Sequence, residues 1–326
     1  MTTATGLGSL PELLVERESR KALLRVFAAE GVPLLVIEDR KHKMPLAKLA
    51  GLFSLAGKEA GTRTFGLDVG LAMQPREYGL WTRYAMQART LGGALARVFR
   101  TLHFHQPGAV MRLAPRPKER IAWEYQHPSF SPAAFPEHTD HIIPVMISLM
   151  RRYLGPDWRP SGIEVGYAKP RHAAKLEYRT ETPWRFDAPC LAILMSADAP
   201  LTEKAQPAGQ PGRGPLVSYA DVAAQSTLEK TYGSLDDIAS VVALRLLDGN
   251  ADIEGAASFL GSGRRQLQRR LEEQGLTYRS LVIEIRMRRA KSLIEGTEAS
   301  LKQIGLELGY ADPAHFTRAF GKYYGF

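Results

Sequence analysis

Along the first two thirds of the chain, apolar residues recur at helical spacing, give way once to alternation, and return to helical spacing. Pro11 to Gly31 reads as a helix closed by its glycine, and Val32 to Ile37 as a short apolar strand or extended segment. Pro45 to Gly61 is helical, with Leu46, Leu49, Leu52, Phe53 and Leu55 on its apolar side. Arg83 to Leu102 reads as a further helix, entered through Thr90 and interrupted at Gly92-Gly93. Then the period changes to two. Met111, Leu113, Ile121, Trp123 and Tyr125 alternate with Arg112, Arg120, Ala122 and Glu124, which predicts a hairpin turning around Pro115 to Glu119. Glu137 to Leu154 resumes the helical period, and Ile163 to Ala168 and Leu191 to Met195 read as short strands. This succession predicts an α+β N-terminal domain over residues 1–200.

Residues 198–216, rich in proline and glycine with Ala and Gln, read as a flexible linker, and Ser218 to Tyr232 as a bridging helix or part of a dimer contact, so that 201–234 joins two domains. From 235 to 326 the pattern is entirely helical. Leu260, Leu267 and Leu271 form one stripe of a helix that leaves Arg264, Arg265, Gln268 and Arg269 outward, preceded by Ile253 to Leu260 and a glycine-containing turn. The same layout returns further on. Leu301 to Leu308, the turn Gly309-Tyr310-Ala311, and a helix from about Asp312 to Tyr323 make a second helix-turn-helix, with Asp312 as N-cap and Pro313 at the first position. Phe316 and Phe320 point inward there, leaving His315, Thr317, Arg318 and Lys322 outside. Between the two units, Thr277 to Ile294 reads as one connecting helix of roughly four to five turns, with Tyr278, Leu281, Val282, Ile285, Leu293 and Ile294 as its buried stripe.

These C-terminal residues, and above all Ile304-Gly-Leu-Glu-Leu-Gly-Tyr-Ala-Asp-Pro-Ala-His-Phe-Thr-Arg-Ala-Phe320, resemble the double helix-turn-helix of AraC-type transcription regulators. The resemblance implies two recognition helices entering successive major-groove segments about one helical turn apart. Carried over by position, base-edge contacts fall on Arg265, Gln268 and Arg269 in the first unit and on His315, Thr317 and Arg318 in the second, with Arg264 and Lys322 on the same DNA-facing sides. Arg suits guanine O6 and N7, and Gln suits adenine N6 and N7. Gly263 departs from the family by standing where a capping Ser is usual, and the ending Gly325-Phe326 implies a truncated C-terminus. The order Phe65-Gly-Leu-Asp-Val-Gly70, Thr90-Leu-Gly-Gly-Ala-Leu95, hairpin, long helix and Phe186-Asp187 is similar to the arabinose-binding-like regulatory domain of such proteins. It implies a sensing and dimerisation role for residues 1–200.

Charge agrees with a polyanionic partner. The chain of 326 residues carries a formal charge of +9, and Gly261 to Lys291 holds nine Arg or Lys against three Glu. A lone cysteine, Cys190, excludes an intramolecular disulfide and a multi-cysteine zinc site, as suits a reducing cytoplasm, and no 18-residue apolar run is present. The expected location is the bacterial cytoplasm and nucleoid, with no membrane association. Enzyme readings find no footing: Gly261-Ser-Gly is no nucleophile elbow, no phosphate-binding Gly-rich loop occurs, and no catalytic residues are nominated. His138 with His141 on a helix, and His103 with His105 on an extended segment, could each face a metal, yet neither pair has a third ligand, so no metal site and no cofactor are expected.

One feature of the N-terminal domain asks for a ligand. With the hairpin centred on Arg116, Arg112 and Arg120 face one another across the strands, which is unfavourable unless something negative lies between them. Glu119 and Glu124 are the local candidates for that charge; an anionic effector is the other. Arg-x-x-x-Arg also resembles the arginine motif of PilZ domains, which implies cyclic di-GMP gripped by Arg112, Arg116 and Arg120, although the second PilZ element is absent. The chain thus reads as a homodimeric, sequence-specific regulator binding promoter DNA under control of a small effector. The competing reading has an N-terminal half that only dimerises or binds protein.

Overall fold

A computed structural model of the chain describes residues 1–73, 79–128, 131–204, 216–227 and 233–325. The core of the linker expectation, residues 205–215, lies outside them, as do the end of the bridging segment and Phe326. In chain order the elements are β1 (Thr2–Thr3), α1 (Leu10–Arg17), α2 (Arg20–Glu30), β2 (Lys43–Met44), α3 (Leu46–Glu59), α4 (Phe65–Ala72), α5 (Leu80–Met86), α6 (Leu91–His105), β3 (Val110–Arg116), β4 (Arg120–Gln126), α7 (Pro136–Leu154), β5 (Gly162–Glu164), α8 (Ala173–Thr180), β6 (Trp184–Arg185), β7 (Leu191–Ser196) and α9 (Tyr219–Thr227). They continue as α10 (Asp236–Arg245), α11 (Ile253–Phe259), α12 (Arg264–Glu272), α13 (Tyr278–Gly296), α14 (Leu301–Glu307) and α15 (Pro313–Tyr324). This is an α+β N-terminal part followed by an all-α C-terminal part. Among the described residues, no helix is long and apolar enough to cross a membrane.

The chain forms two compact units. The first comprises Met1–Glu30 and Leu46–Glu229; the second comprises Gly31–Pro45 and Lys230–Phe326. The first is centred on a five-stranded sheet ordered β3-β4-β7-β5-β6, antiparallel except for the β5–β6 pair. One face of this sheet, through Trp123, Tyr125, Ile163, Ile193 and Met195, packs against Leu95 and Val98 of α6 and Ile143, Met146 and Met150 of α7. Helix α4 lies unusually close to α7. A methyl group at Gly66 would stand 1.8 Å from the Glu137 carbonyl oxygen, and one at Gly70 would stand 2.3 Å from that of His141. Glycines four residues apart lie on one helix face, so this pair lets two backbones meet. The contact is sealed by a buried hydrogen bond from the Gly66 N–H to Glu137 Oε2, 2.9 Å.

Several local expectations are revised. Pro11 to Gly31 is two helices, because the chain breaks at Glu18 and Ser19 Oγ accepts from the Ala22 N–H to open the second. Leu34–Ile37 is a 3-10 turn rather than a strand, since Pro33 presets a turn-compatible φ of −58° and removes a donor that a ladder would need. Gly92-Gly93 does not interrupt a helix. The break comes earlier, and Thr90 caps α6 by accepting from the Gly93 N–H, so the glycines sit in the first turn. His103 and His105 therefore lie on the last turn of α6, not on an extended segment. Of Ile163 to Ala168, only the start belongs to a strand. Helices α4 and α8 were not anticipated as elements.

In the second unit, β2 lies against α10, and Val32, Val36 and Met44 of the 31–45 segment are buried. That segment was expected within the N-terminal domain. The α13 stripe is Leu281, Val282, Ile285, Met287 and Ala290, whereas Ile294, expected inside, is exposed.

Candidate nucleic-acid interface and effector cavity

The two helix-turn-helix units are built by one local device. Helix α11 is capped by Asp252, whose carboxylate accepts from the Gly255 N–H at 2.5 Å, and ends where the Ser262 N–H reaches back to the Ala257 carbonyl at 2.9 Å around Gly261, φ 64°. Helix α14 is capped by a Ser300–Gln303 box and ends with the Tyr310 N–H on the Gly305 carbonyl at 2.9 Å around Gly309, φ 80°. Both turns place glycine in the left-handed conformation that closes a helix with a six-to-one hydrogen bond. Gly305 also lets α15 approach, since a methyl there would meet Phe316 Cβ at 3.1 Å. Ala290, Ile304, Leu308 and Phe316 form the resulting core.

On α12, Leu267 and Leu271 are buried; Arg264, Arg265 and Arg269 are exposed, and Gln268 is half-buried. Arg264 meets Glu254 at 2.5 Å and Arg269 meets Glu273 at 3.7 Å. Exposed ion pairs of this kind are worth little and exchange readily for a phosphate or base. Arg270 has a different job: it grips both Asp237 oxygens, at 2.7 and 2.9 Å, and the Ser234 carbonyl, which ties α12 to α10. Gly263 offers no side-chain cap, as the sequence implied. Asp312 caps α15 by accepting from the Ala314 N–H, and His315, Thr317, Arg318 and Lys322 are exposed, with Arg318 only loosely paired to Asp312 at 3.9 Å.

The β3–β4 hairpin is registered differently from the expectation. Arg116 stands across from Arg120, and Arg112 across from Glu124. The loop is Pro117-Lys118-Glu119, with Lys118 and Glu119 at φ 61° and 51°. Carboxylates fill the arginine face. Arg112 donates to Glu124 at 2.6 Å, and Arg116 donates to Glu124 at 2.8 Å and to Glu164 at 2.9 Å, while Arg185 approaches Glu164 at 3.3 Å. Glu124 and Glu164 are both buried. Burial pushes the Glu124 carboxyl up, but the hydrogen bonds from Arg112 and Arg116 outweigh it and hold the group below its ordinary value. The charge that opposed arginines require is therefore supplied by Glu124 and Glu164, not Glu119. Arg120 turns away and donates to the Pro117 carbonyl.

Sequence reasoning did not anticipate the second feature of this unit, an apolar cavity of about 60 Å³ whose lining includes Trp81, Val98, His105, Trp123, His138 and Met146. Trp81 stacks on His105 at 5.1 Å between ring centroids, and the His138 and His141 rings stand 4.8 Å apart. Histidines read in sequence as two separate pairs thus contribute three members to one cavity, while His103 lies outside its lining. Burial lowers His105 and His141 to about 4 and lowers His138 too, so all three are neutral near pH 7. Among the described residues, no group of three or more His, Cys, Asp or Glu converges to hold a metal ion. The signal that could have marked the cavity is the run of aromatic and histidine residues at elements' ends, but nothing in the sequence says that those ends meet.

Residues 22–200 match the family model for the arabinose-binding domain of AraC transcription regulators, N-terminal, and residues 256–326 match a helix-turn-helix domain. The chain is similar to the ornithine utilization regulator of Pseudomonas aeruginosa, 28% identical over 171 residues, which are 50% of this chain and 48% of that protein. It is also similar to the virulence regulon transcriptional activator VirF of Shigella flexneri, 30% identical over 59 residues, 18% of this chain and 22% of that one. The chain thus spans about half the length, or less, of these curated relatives. Among solved structures, that of the transcriptional regulator CdpR from Pseudomonas aeruginosa covers 94% of this chain and 95% of its own at 17% identity, with a TM-score of 0.42. The relatives are regulators rather than enzymes.

Proposed function

The chain belongs to the AraC family of transcription regulators, and from that premise we propose that it is a sequence-specific DNA-binding regulator working in the bacterial cytoplasm, whose N-terminal domain receives a small effector. The observation that carries the reading is the division of labour on α12: Arg270 is committed to Asp237, while Arg264, Arg265 and Arg269 stand outward, Arg264 and Arg269 on weak pairs, and α15 also leaves His315, Thr317, Arg318 and Lys322 exposed. Helices presented this way at the second position of a helix-turn-helix suit the major groove. Arg269→Ala and Arg318→Ala are each expected to lose about 1–3 kcal/mol of preference for the operator over scrambled DNA. Arg288→Ala, whose partner is Glu284 on its own helix, leaves that preference unchanged. Competition binding on both duplexes at fixed salt measures it, and equal losses on both for Arg269→Ala refute base reading.

Two copies are proposed to act together, because one chain's recognition helices span only about two adjacent groove segments and a second copy multiplies effective concentration. Sedimentation of the protein on operator DNA is expected to give two chains per site; one chain bound at full affinity contradicts this. As effector, cyclic di-GMP is proposed for Arg112, Arg116 and Arg120; support comes from their shared hairpin, and opposition from Glu124 and Glu164, which already engage Arg112 and Arg116, and from Arg120, which donates to the Pro117 carbonyl. Calorimetry decides the matter: the absence of heat at millimolar cyclic di-GMP removes that molecule. Apolar walls and buried polar groups favour the cavity as the effector's seat.

A further inference from the structure

A second depression of the first unit, sharing no lining residue with the apolar cavity, is a cleft of about 780 Å³ between α3, the entry to α7 and the β5–α8 loop. That volume lies within the roughly 300–1,000 Å³ typical of sites for organic ligands, and an inorganic ion would leave most of it to water. Its charges do not balance. Of the carboxylates in the lining, Glu30 is met by Lys48 at 3.4 Å, and the buried Glu137 accepts from the Gly66 N–H at 2.9 Å. Lys58, Arg63 and Arg171, also in the lining, make no ion pair and no side-chain hydrogen bond among the described residues, although the charge of Arg63 acts on Glu137 from beyond pairing distance. Elsewhere in the unit Arg17, Arg25, Arg112, Arg116 and Arg159 each meet a carboxylate, so the cleft departs from the habit of its surroundings. The excess positive charge is felt locally: burial, and then Arg63 and Lys175, hold the imidazole of the half-buried His172 in the same wall below its ordinary value. Apolar surface adjoins these cations, since Leu55, Phe135 and Pro170 line the cleft and are each half-buried.

We infer that this cleft binds an organic dianion, a phosphate ester or a dicarboxylate, with its charged oxygens on Arg63 and Arg171 and its apolar body against Leu55, Phe135 and Pro170. The planar guanidinium fork matches either oxyanion, and Lys58 adds to the field that attracts it. The site is separate from the hairpin, where Arg112 and Arg116 already have carboxylate partners, and it does not depend on the DNA-binding reading. Arg63 lies between α3 and α4, and Arg171 between β5 and α8, so a bound dianion joins two loops far apart in sequence. A ligand that binds only the folded unit raises its stability by mass action.

The test uses the full chain in calorimetry at pH 8 with probes of one ring system: naphthyl phosphate, naphthalene dicarboxylate, naphthoate and naphthamide. At least one of the two dianions is expected to bind saturably, and the tighter of them identifies the charged group. Naphthoate binds about tenfold more weakly, as the loss of a charge-assisted hydrogen bond implies. Inorganic phosphate binds more weakly than naphthyl phosphate, and naphthamide does not bind. Arg63→Gln and Arg171→Gln each weaken the tighter dianion about tenfold, yet without ligand both variants melt as the wild type does, because neither side chain has a partner to lose. Ser54→Glu, which places a carboxylate in the cleft, abolishes binding; if that variant does not fold, the arginine variants decide the outcome. Arg120→Gln on the hairpin and Arg269→Gln on α12 leave the affinity within about twofold, as independent sites do. The inference is overturned if neither dianion binds, if naphthoate or naphthamide binds as tightly as the dianions, or if inorganic phosphate matches naphthyl phosphate. It is equally overturned if Arg63→Gln and Arg171→Gln leave binding intact, which would put the anion elsewhere on a basic chain.

Discussion

Gly66→Ala is expected to cost the first unit about 3 kcal/mol or more, or to prevent its folding outright. The added methyl would sit 1.8 Å from the Glu137 carbonyl oxygen and under 3 Å from its carbonyl carbon and Cα, all of them backbone atoms of α7. Backbone in the first turn of a packed helix cannot rotate aside as a side chain does, so α4 and α7 must separate and forfeit contacts. Separation also breaks the buried hydrogen bond from Gly66 to Glu137. Gly296→Ala provides the contrast, since nothing lies within 4 Å of the position at the end of α13; it should stabilise by up to about 1 kcal/mol through helix propensity. Urea unfolding of the two variants measures both, and a Gly66→Ala midpoint equal to the wild type would refute the close approach.

Arg116→Ala should be nearly as damaging, at about 3–5 kcal/mol, because it strands two buried carboxylates. Arg116 bridges Glu124 and Glu164, whose side chains are each only 6% exposed, and the remaining partners, Arg112 and Arg185, are themselves largely in solvent. Its guanidinium is held charged by the hydrogen bonds to Glu164 and Glu124. The sign of the pH dependence follows from the depressed Glu124 carboxyl. That group contributes stability fully present above its unfolded value of 4.5 and lost as pH falls through its lower folded value. The gap between wild type and Arg116→Ala should therefore be widest near pH 7 and narrow below about pH 4.5. Chemical unfolding at pH 7, 5 and 4 gives the comparison; a gap that widens toward acid would contradict the assignment of Arg116 as the structural counter-ion of Glu124.

What the sequence made legible is what is decided within a few residues. Asp312 before Pro313 and the glycines at 261 and 309 each specify a cap or turn by their own chemistry, and the structure holds each of them where local rules put it. The hairpin strands were legible for the same reason, but not their register: Lys118 and Glu119 adopt positive φ without being glycine or asparagine, so the loop lacked its usual signal. Glu164 could not be foreseen as partner of Arg116 because β7, which lies between β4 and β5 in the sheet, comes later in the chain than either. The cavity was illegible for a similar reason. Trp81, His105, Trp123 and His138 come from four elements whose meeting depends on how α5, α6 and α7 pack on the sheet. The close pass of α4 over α7 lies between these cases: Gly66 and Gly70 stand in a stretch that resembles the family's, while nothing near them in sequence names α7 as their partner helix.

The excursion of residues 31–45 bears on how such a protein can be taken apart. The chain leaves the first unit after Glu30, lends Val32, Val36 and Met44 to the second, and returns at Leu46. The two units are consequently interleaved in sequence, and no single cut divides them. A protease acting after Lys204 would leave a nicked molecule whose C-terminal fragment lacks the piece packed on α10. A chimaera spliced there would pair a helix-turn-helix half from one parent with the α10 cover of the other. Exchange of parts among relatives with this layout needs two junctions, one on each side of residues 31–45, as well as the obvious one ahead of α10.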